Sequence, residues 1–250
     1  MYLLRRIYSI YCFILFVSLF LAIYPGYLLA IWIPGWWRFG SYTTRLWATI
    51  YFPLIGMPIR MEGSEHLKSI KGNAVFCVNH FSFLDIATMG FLPRPFVFVG
   101  KESIRKVPLF GYMFRKLHIT VNRQSLRDRY ATYQKSSSAV EQGKDLVIFP
   151  EGGIISTDPP QMAKFKEGAF KTAIAHGVPI VPVTIPNNWI ILPDNGQFLP
   201  RIRRCSMIIH EPIPTDGLSE ADVAELKDRC FRVIDSELQK HFPDRLEAGS

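Results

Sequence analysis

A layered α/β domain with a largely parallel central sheet, plus an N-terminal membrane-embedded helical hairpin, is the fold class predicted by this 250-residue sequence. Three observations carry it. From residue 73 onward, short apolar runs alternate with stretches of helical periodicity, as in a sheet covered by helices. The runs are continuously apolar, as strands buried on both faces are. Ahead of them, residues 7–37 hold no charged side chain.

The uncharged stretch, "IYSIYCFILFVSLFLAIYPGYLLAIWIPGWW", exceeds the roughly 20 apolar residues that a bilayer span needs. It is too long for a signal-peptide core, and no small-residue cleavage site follows it. A soluble core helix is apolar along one stripe, whereas this stretch is apolar all round. Pro25-Gly26 is a turn or kink signal inside it. Two arrangements fit: one tilted span kinked at Pro25, or a hairpin whose second arm begins at Tyr27. Trp32, Trp36, Trp37 and Trp47 lie in or just after the stretch, at the level of an interfacial aromatic belt. Residues 1–52 are expected to form the membrane-anchoring segment and residues 53–250 the α/β domain, with 53–72 connecting the two.

In the domain, strand-like runs occupy residues 74–78, 96–100, 118–121, 145–149, 179–185 and 205–210. Between the third and fourth, "LRDRYATYQKSSSAVEQG" reads as a helix with Leu126, Tyr130, Tyr133 and Val140 on one face, ending at Gly143. "KFKEGAFKTAIAHG" ends in the same way at Gly177. The last helix opens on a capping box, Ser219 and Asp222, and carries an apolar stripe through Val223, Leu226, Val233, Ile234 and Leu238.

Composition narrows the function. The chain carries a net charge of +8, of which five charges are arginines in the first 60 residues, where no acid occurs. Basic residues beside an apolar anchor suit anionic lipid heads. The rest of the chain has no basic stripe, which argues against nucleic acid as a partner. Cys12, Cys77, Cys205 and Cys230 are far apart, lack metal-ligand spacing, and read as the reduced, buried thiols of a cytosol-facing protein. No metal site is expected.

The stretch with chemical content is "FCVNHFSFLDIA", residues 76–87. If His80 ends the loop after a strand and Asp85 lies in the first turn of the next helix, the carboxylate fixes the imidazole tautomer and stabilises the imidazolium. By itself the pair also fits an ordinary strand-to-helix junction. Ser82 lacks the context of a nucleophile elbow, so a base here would activate a hydroxyl of the substrate.

Downstream come "VGKESIRKVPLFG", "ITVNRQS", "IFPEGG" and "GVPIVPVTI". With "VNHFSFLD" in front, these blocks over residues 60–215 resemble the lysophosphatidate and glycerolphosphate acyltransferases, membrane enzymes marked by H-x-x-x-x-D and four further motifs in this order. The resemblance implies His80 as general base and Asp85 as its partner, with a glycerol hydroxyl attacking an acyl thioester. It assigns Glu151, Gly152 and Gly153 to the acyl acceptor; Glu151 either receives a hydroxyl or braces the loop. It places Lys101 and Arg123 at the acceptor phosphate, with Lys164 and Lys166 as candidate helpers, and Pro182 shaping a strand edge. One departure stands out: the family's E-G-T-R-S arginine is Ile154 here, which leaves the acceptor's identity open.

The activity implied is transfer from acyl-CoA or acyl carrier protein to the 2-hydroxyl of 1-acylglycerol 3-phosphate, giving phosphatidate in phospholipid biosynthesis. No cofactor is implied beyond the thioester co-substrate, and the partners are membrane lipids and the acyl donor. The alternatives are another lysolipid acceptor, an acylated amino acid or glycerol 3-phosphate, or a non-catalytic membrane scaffold. Such a donor is cytosolic, and Arg5 and Arg6 favour a cytoplasmic N-terminus. A hairpin turning at Pro25-Gly26 then returns the catalytic domain to the cytoplasmic face, so the hairpin is the arrangement expected.

Overall fold

The computed structural model describes residues 2–121 and 126–243. Its first helix, α1 (Tyr2–Trp32), continues across Pro25, and α2 (Trp37–Leu54) packs back along it. The hairpin forms, but its turn lies at residues 33–36 and not at Pro25-Gly26. Gly35 there takes φ +83°, a left-handed conformation that glycine adopts freely. Pro25 removes one helical hydrogen bond, a loss that apolar helices tolerate when a neighbour covers them.

Gly26 is used for close approach. A Cβ on it would sit 2.7 Å from Thr43 Oγ1, so its bare backbone lets α2 come near. The seam is aromatic, with Phe16 edge-on to Trp47 at 4.9 Å and Trp47 stacked on Tyr51 at 4.5 Å. Trp47 is therefore buried between the helices and is not part of an interfacial belt, whereas Trp32 and Trp36 are exposed. α1 is long and apolar enough to cross a membrane, and only 11% of its most apolar window is buried.

A seven-stranded sheet comes next. β1 (Ile59–Glu62) is an edge strand in a segment expected to be connection only. Its four residues alternate half-buried with exposed and leave little apolar signal. After it come β2 (Val75–Val78), α3 (Leu84–Thr88), β3 (Phe96–Lys101), α4 (Phe110–Leu117), β4 (Ile119–Val121) and α5 (Leu126–Glu141). β5 (Asp145–Ile148), α6 (Gly168–Ala175), β6 (Ile180–Thr184), α7 (Asn188–Ile191), β7 (Cys205–Ile209) and α8 (Val223–His241) complete the order. The sheet runs β1-β7-β6-β2-β5-β3-β4, parallel throughout except for β6 against β7.

The expected continuous burial is realised in β2 and β6, whose residues are buried without exception. Val75 and Cys77 join the core under α5, α6 and α8, while Phe76 and Val78 join the opposite core with Met89 and Phe114. The expected capping box forms, Ser219 N–H donating to Asp222 Oδ2 at 2.7 Å, and it caps the 3-10 turn Glu220–Asp222 that leads into α8. On α5 the expected face holds at Val140, buried beside Ser136 and Ala139, and Tyr133 is half-buried, but Tyr130 is 63% exposed. Pro182 lies in the interior strand β6 and not at an edge; its carbonyl accepts from His210 N–H at 3.0 Å, the one bond a proline can make there.

From β2 the chain moves toward β3, and from β5 it moves toward β6, in opposite directions along the sheet. Right-handed crossovers then lie on opposite faces, opening a crevice at the carboxyl ends of β2 and β5. The amino ends of these strands are locked by Asp145. It accepts from Ala74 N–H at 2.8 Å and from Arg94 Nε at 2.6 Å. Burial pushes the Asp145 carboxyl up from its ordinary value, and Arg94 offsets part of that shift. Arg94→Ala leaves this carboxyl buried without its cation and is expected to destabilise the fold by about 3 kcal/mol, read from denaturant unfolding in detergent.

Candidate active site

The β2/β5 crevice holds His80 and Asp85. β2 ends at Val78, and Asn79 anchors the chain as it leaves: its amide donates to Ile185 O at 2.9 Å and accepts Ile185 N–H at 2.7 Å. This side-chain pairing extends the β2–β6 ladder by one step and sets the exit direction of the chain. His80 leaves the strand and Asp85 stands in the first turn of α3, the geometry that lets residues five apart meet. His80 Nδ1 lies 3.1 Å from Asp85 Oδ2. The same oxygen accepts Phe81 N–H and Ser82 N–H, both at 2.8 Å. With a carboxylate oxygen facing it, Nδ1 carries the proton and Nε2 keeps its lone pair for a substrate.

Ser82 is fully buried, and its hydroxyl donates to Leu192 O at 2.7 Å, so it is a loop fastener and not a nucleophile. The imidazole stacks on Phe149, ring centroids 4.1 Å apart at 22°. Phe149 is the residue just ahead of Pro-Glu-Gly. Its signal in the sequence was its place at a strand end, where it read as plain strand. Asn79 was equally visible beside His80, but only the neighbouring strand reveals its partner.

Glu151 is completely buried. Its Oε1 accepts His80 N–H at 2.7 Å and its Oε2 accepts Ala163 N–H at 2.9 Å. Of its two expected roles, the geometry matches the brace: it ties the β5 loop to the backbone of His80. Burial pushes its carboxyl up to about 7, while those two N–H bonds pull it down. Gly152 takes φ +92°, and its N–H donates to Phe149 O at 3.0 Å; it supplies the turn, while Gly153 lines the cleft.

A cleft of about 300 Å³ opens over the imidazole, walled by Phe83, Ile86, Phe98, Phe114 and Phe149. Lys101, at the carboxyl end of β3, stands exposed on its rim, and Ile154 lies within it. One wall is therefore apolar, while the lining carries both a cation, Lys101, and an acid, Asp194, so the cleft suits a molecule with an apolar chain and a polar head. Lys164 and Lys166 are exposed on the segment before α6. Arg123 lies outside the described residues. The chemistry available is general-base activation of a bound hydroxyl in a site largely shielded from water.

Comparison with known proteins gives this site its context. The family model described as Acyltransferase matches residues 58–186, just over half of the chain. A chloroplastic 1-acyl-sn-glycerol-3-phosphate acyltransferase of Arabidopsis thaliana is 31% identical over 188 residues, 74% of this chain and 51% of that protein. The 1-acyl-sn-glycerol-3-phosphate acyltransferase of Escherichia coli K12 is 27% identical over 205 residues, 79% of this chain and 80% of that protein. The chain spans about half the length of the chloroplast relatives it matches. The crystal structure of the 1-acyl-sn-glycerophosphate acyltransferase PlsC from Thermotoga maritima shares the fold, with a TM-score of 0.77 at 21% identity over 94% of this chain and 97% of that one. His80, Asp85, Lys101 and Glu151 all fall inside the matched segment, and the chain belongs to the acyltransferase family.

Proposed function

We propose that the chain moves an acyl group from an acyl thioester, on coenzyme A or acyl carrier protein, to the 2-hydroxyl of 1-acylglycerol 3-phosphate, giving phosphatidate. The observation that carries this reading is the oriented His80–Asp85 pair on a cleft with apolar walls and Lys101 at its rim. In the proposed step His80 Nε2 takes the hydroxyl proton as the oxygen attacks the thioester carbon. The C–S bond then breaks, and the leaving thiolate recovers the proton from His80. Asp85 is the positioning residue that stabilises the imidazolium between the two transfers. Lys101 meets the acceptor phosphate, with Arg123 as its partner and Gly153 beside the acceptor. The scheme needs no metal and no cofactor beyond the thioester.

The hairpin holds the enzyme in the membrane as one unit, residues 1–52, and returns residues 53–250 to the cytoplasmic face, where the thioester is found. Long acyl chains partition into the bilayer, so a cleft kept at its surface meets them there. Purified protein in vesicles, given either thioester and a panel of lysolipids plus glycerol 3-phosphate, tests the reading by lipid mass spectrometry. Preferred formation of phosphatidate supports it; no transfer onto 1-acylglycerol 3-phosphate from either donor sinks it.

Ile154 favours a second reading, the same chemistry on a lysolipid with another head group. It stands in the cleft where the family motif has an arginine. Ile154→Arg is expected to shift use toward phosphate-bearing acceptors by about tenfold, the worth of one charge-assisted contact. An unchanged acceptor profile in the same panel counts against a phosphate contact at this position.

A further inference from the structure

Residues 192–204, which lead from α7 into β7 beyond the segment matched to the family, contain three arginines against one acid, Asp194 at the cleft. Arg201, Arg203 and Arg204 are all exposed. Two large apolar side chains stand among them, Phe198 at 57% and Ile202 at 65% exposure. Phe198 is held at φ +49°, a conformation uncommon for a bulky residue.

The segment is fastened to the hairpin. The Ser9 hydroxyl donates to Phe198 O, and Arg5 Nη2 donates to Leu199 O at 2.9 Å. A Cβ on Gly56, just past α2, would lie 3.4 Å from Ile202 Cγ2. The loop therefore touches the start of α1 and the end of α2, which the antiparallel hairpin brings together. Leu4 and Leu54 are exposed at that same end, at 69% and 51%. On its other side Phe198 stacks on Phe83, centroids 6.1 Å apart, and Phe83 lines the cleft over His80. An arginine-rimmed apolar surface thus runs from the hairpin end to the cleft mouth.

We propose that this loop is a second membrane contact, with Phe198 and Ile202 entering the apolar layer and Arg201, Arg203 and Arg204 binding anionic head groups. Basic residues near an anionic leaflet are each attracted to it, and apolar side chains interleaved with them insert beside the head groups. An acidic protein surface would match the arginines but would leave the two apolar side chains and the exposed hairpin end without counterparts. The contact sets the cleft mouth at head-group depth, so an anionic lysolipid reaches His80 along the surface without leaving the leaflet. This inference rests on the reading of the hairpin as a membrane anchor.

All four native cysteines are buried, so an added surface thiol can be labelled alone. The test uses the full chain with an environment-sensitive fluorophore at Ile202→Cys, reconstituted in phosphatidylcholine vesicles with and without phosphatidylglycerol. A second preparation carries the probe at Phe13→Cys, on the exposed face of α1. The expected result is a blue shift at position 202, quenched by nitroxides near the head group, that grows with phosphatidylglycerol. That dependence is lost in R201Q/R203Q/R204Q and in high salt. A water-like probe at 202 with a lipid-like probe at 13 overturns the proposal while the anchor stands. Water-like probes at both positions overturn the anchor reading and the proposal with it. A response at 202 to acyl carrier protein in detergent, absent with vesicles, replaces the lipid with an acidic protein partner.

Discussion

His80→Ala is expected to lower acyl transfer by about 10²–10⁴-fold, the range that a positioned general base contributes. The loss falls in kcat, because the imidazole acts when the hydroxyl proton moves and makes little of the apolar cleft that holds the lipid. Asp85→Asn tests the other half of the pair. Phe81 and Ser82 N–H both point at the oxygen that faces His80 Nδ1. An asparagine oxygen can keep those two bonds, but it no longer carries the charge that stabilises an imidazolium. Its expected loss is therefore of the same order, with the fold preserved. Phosphatidate formation by mass spectrometry, beside circular dichroism and detergent-phase gel filtration, separates chemistry from collapse. Wild-type turnover by folded His80→Ala would remove the imidazole from the reaction.

Glu151→Ala is expected to destabilise the domain by about 2–5 kcal/mol and to abolish activity along with it. Its carboxyl is the acceptor for His80 N–H and Ala163 N–H, and a buried donor left without an acceptor costs about 1–3 kcal/mol. The same change frees the backbone that aims His80. Glu151→Gln keeps the volume and one acceptor oxygen but sets an NH₂ group against the other N–H, so it falls between wild type and alanine. Urea unfolding in detergent ranks the three. A pH series adds a sign. Burial raises the Glu151 carboxyl from its ordinary value of 4.5 to about 7, so in that window the folded chain holds a proton that the unfolded chain has released. Its contribution to stability therefore falls as pH rises from about 4.5 to about 7 and levels off above that. Glu151→Gln removes this component of the slope; an unchanged slope would show that the carboxyl titrates elsewhere.

Much of this was legible in the chain. Continuous apolar runs at residues 74–78 and 179–185 declared strands buried on two faces, and the Ser219 and Asp222 capping box marked the turn that leads into α8, because both signals are local. The uncharged residues 7–37 declared an apolar helix for the same reason. The turn of the hairpin was less legible. Pro-Gly occurs at residues 25–26 and again at 34–35, and only the structure tells the first, inside α1 and close against Thr43 of α2, from the second, which makes the turn. β1 has four residues with no strong pattern, and it becomes a strand because β7 offers it an edge.

The candidate site divides along the same line. Sequence alone determined which residue types are present and in what order: a histidine and an aspartate five apart, a cation after one strand, a carboxylate and two glycines after another. Only tertiary structure decided what each does. His80, Lys101 and Glu151 are far apart in the chain and converge because β2, β3 and β5 run parallel, so that their carboxyl ends share one side of the sheet. Glu151 is a brace because its two oxygens meet two backbone N–H groups, a pairing that no spacing in the chain records. Local propensity is written residue by residue, but contact between distant segments depends on strand order, and strand order is set by the burial of whole faces at once.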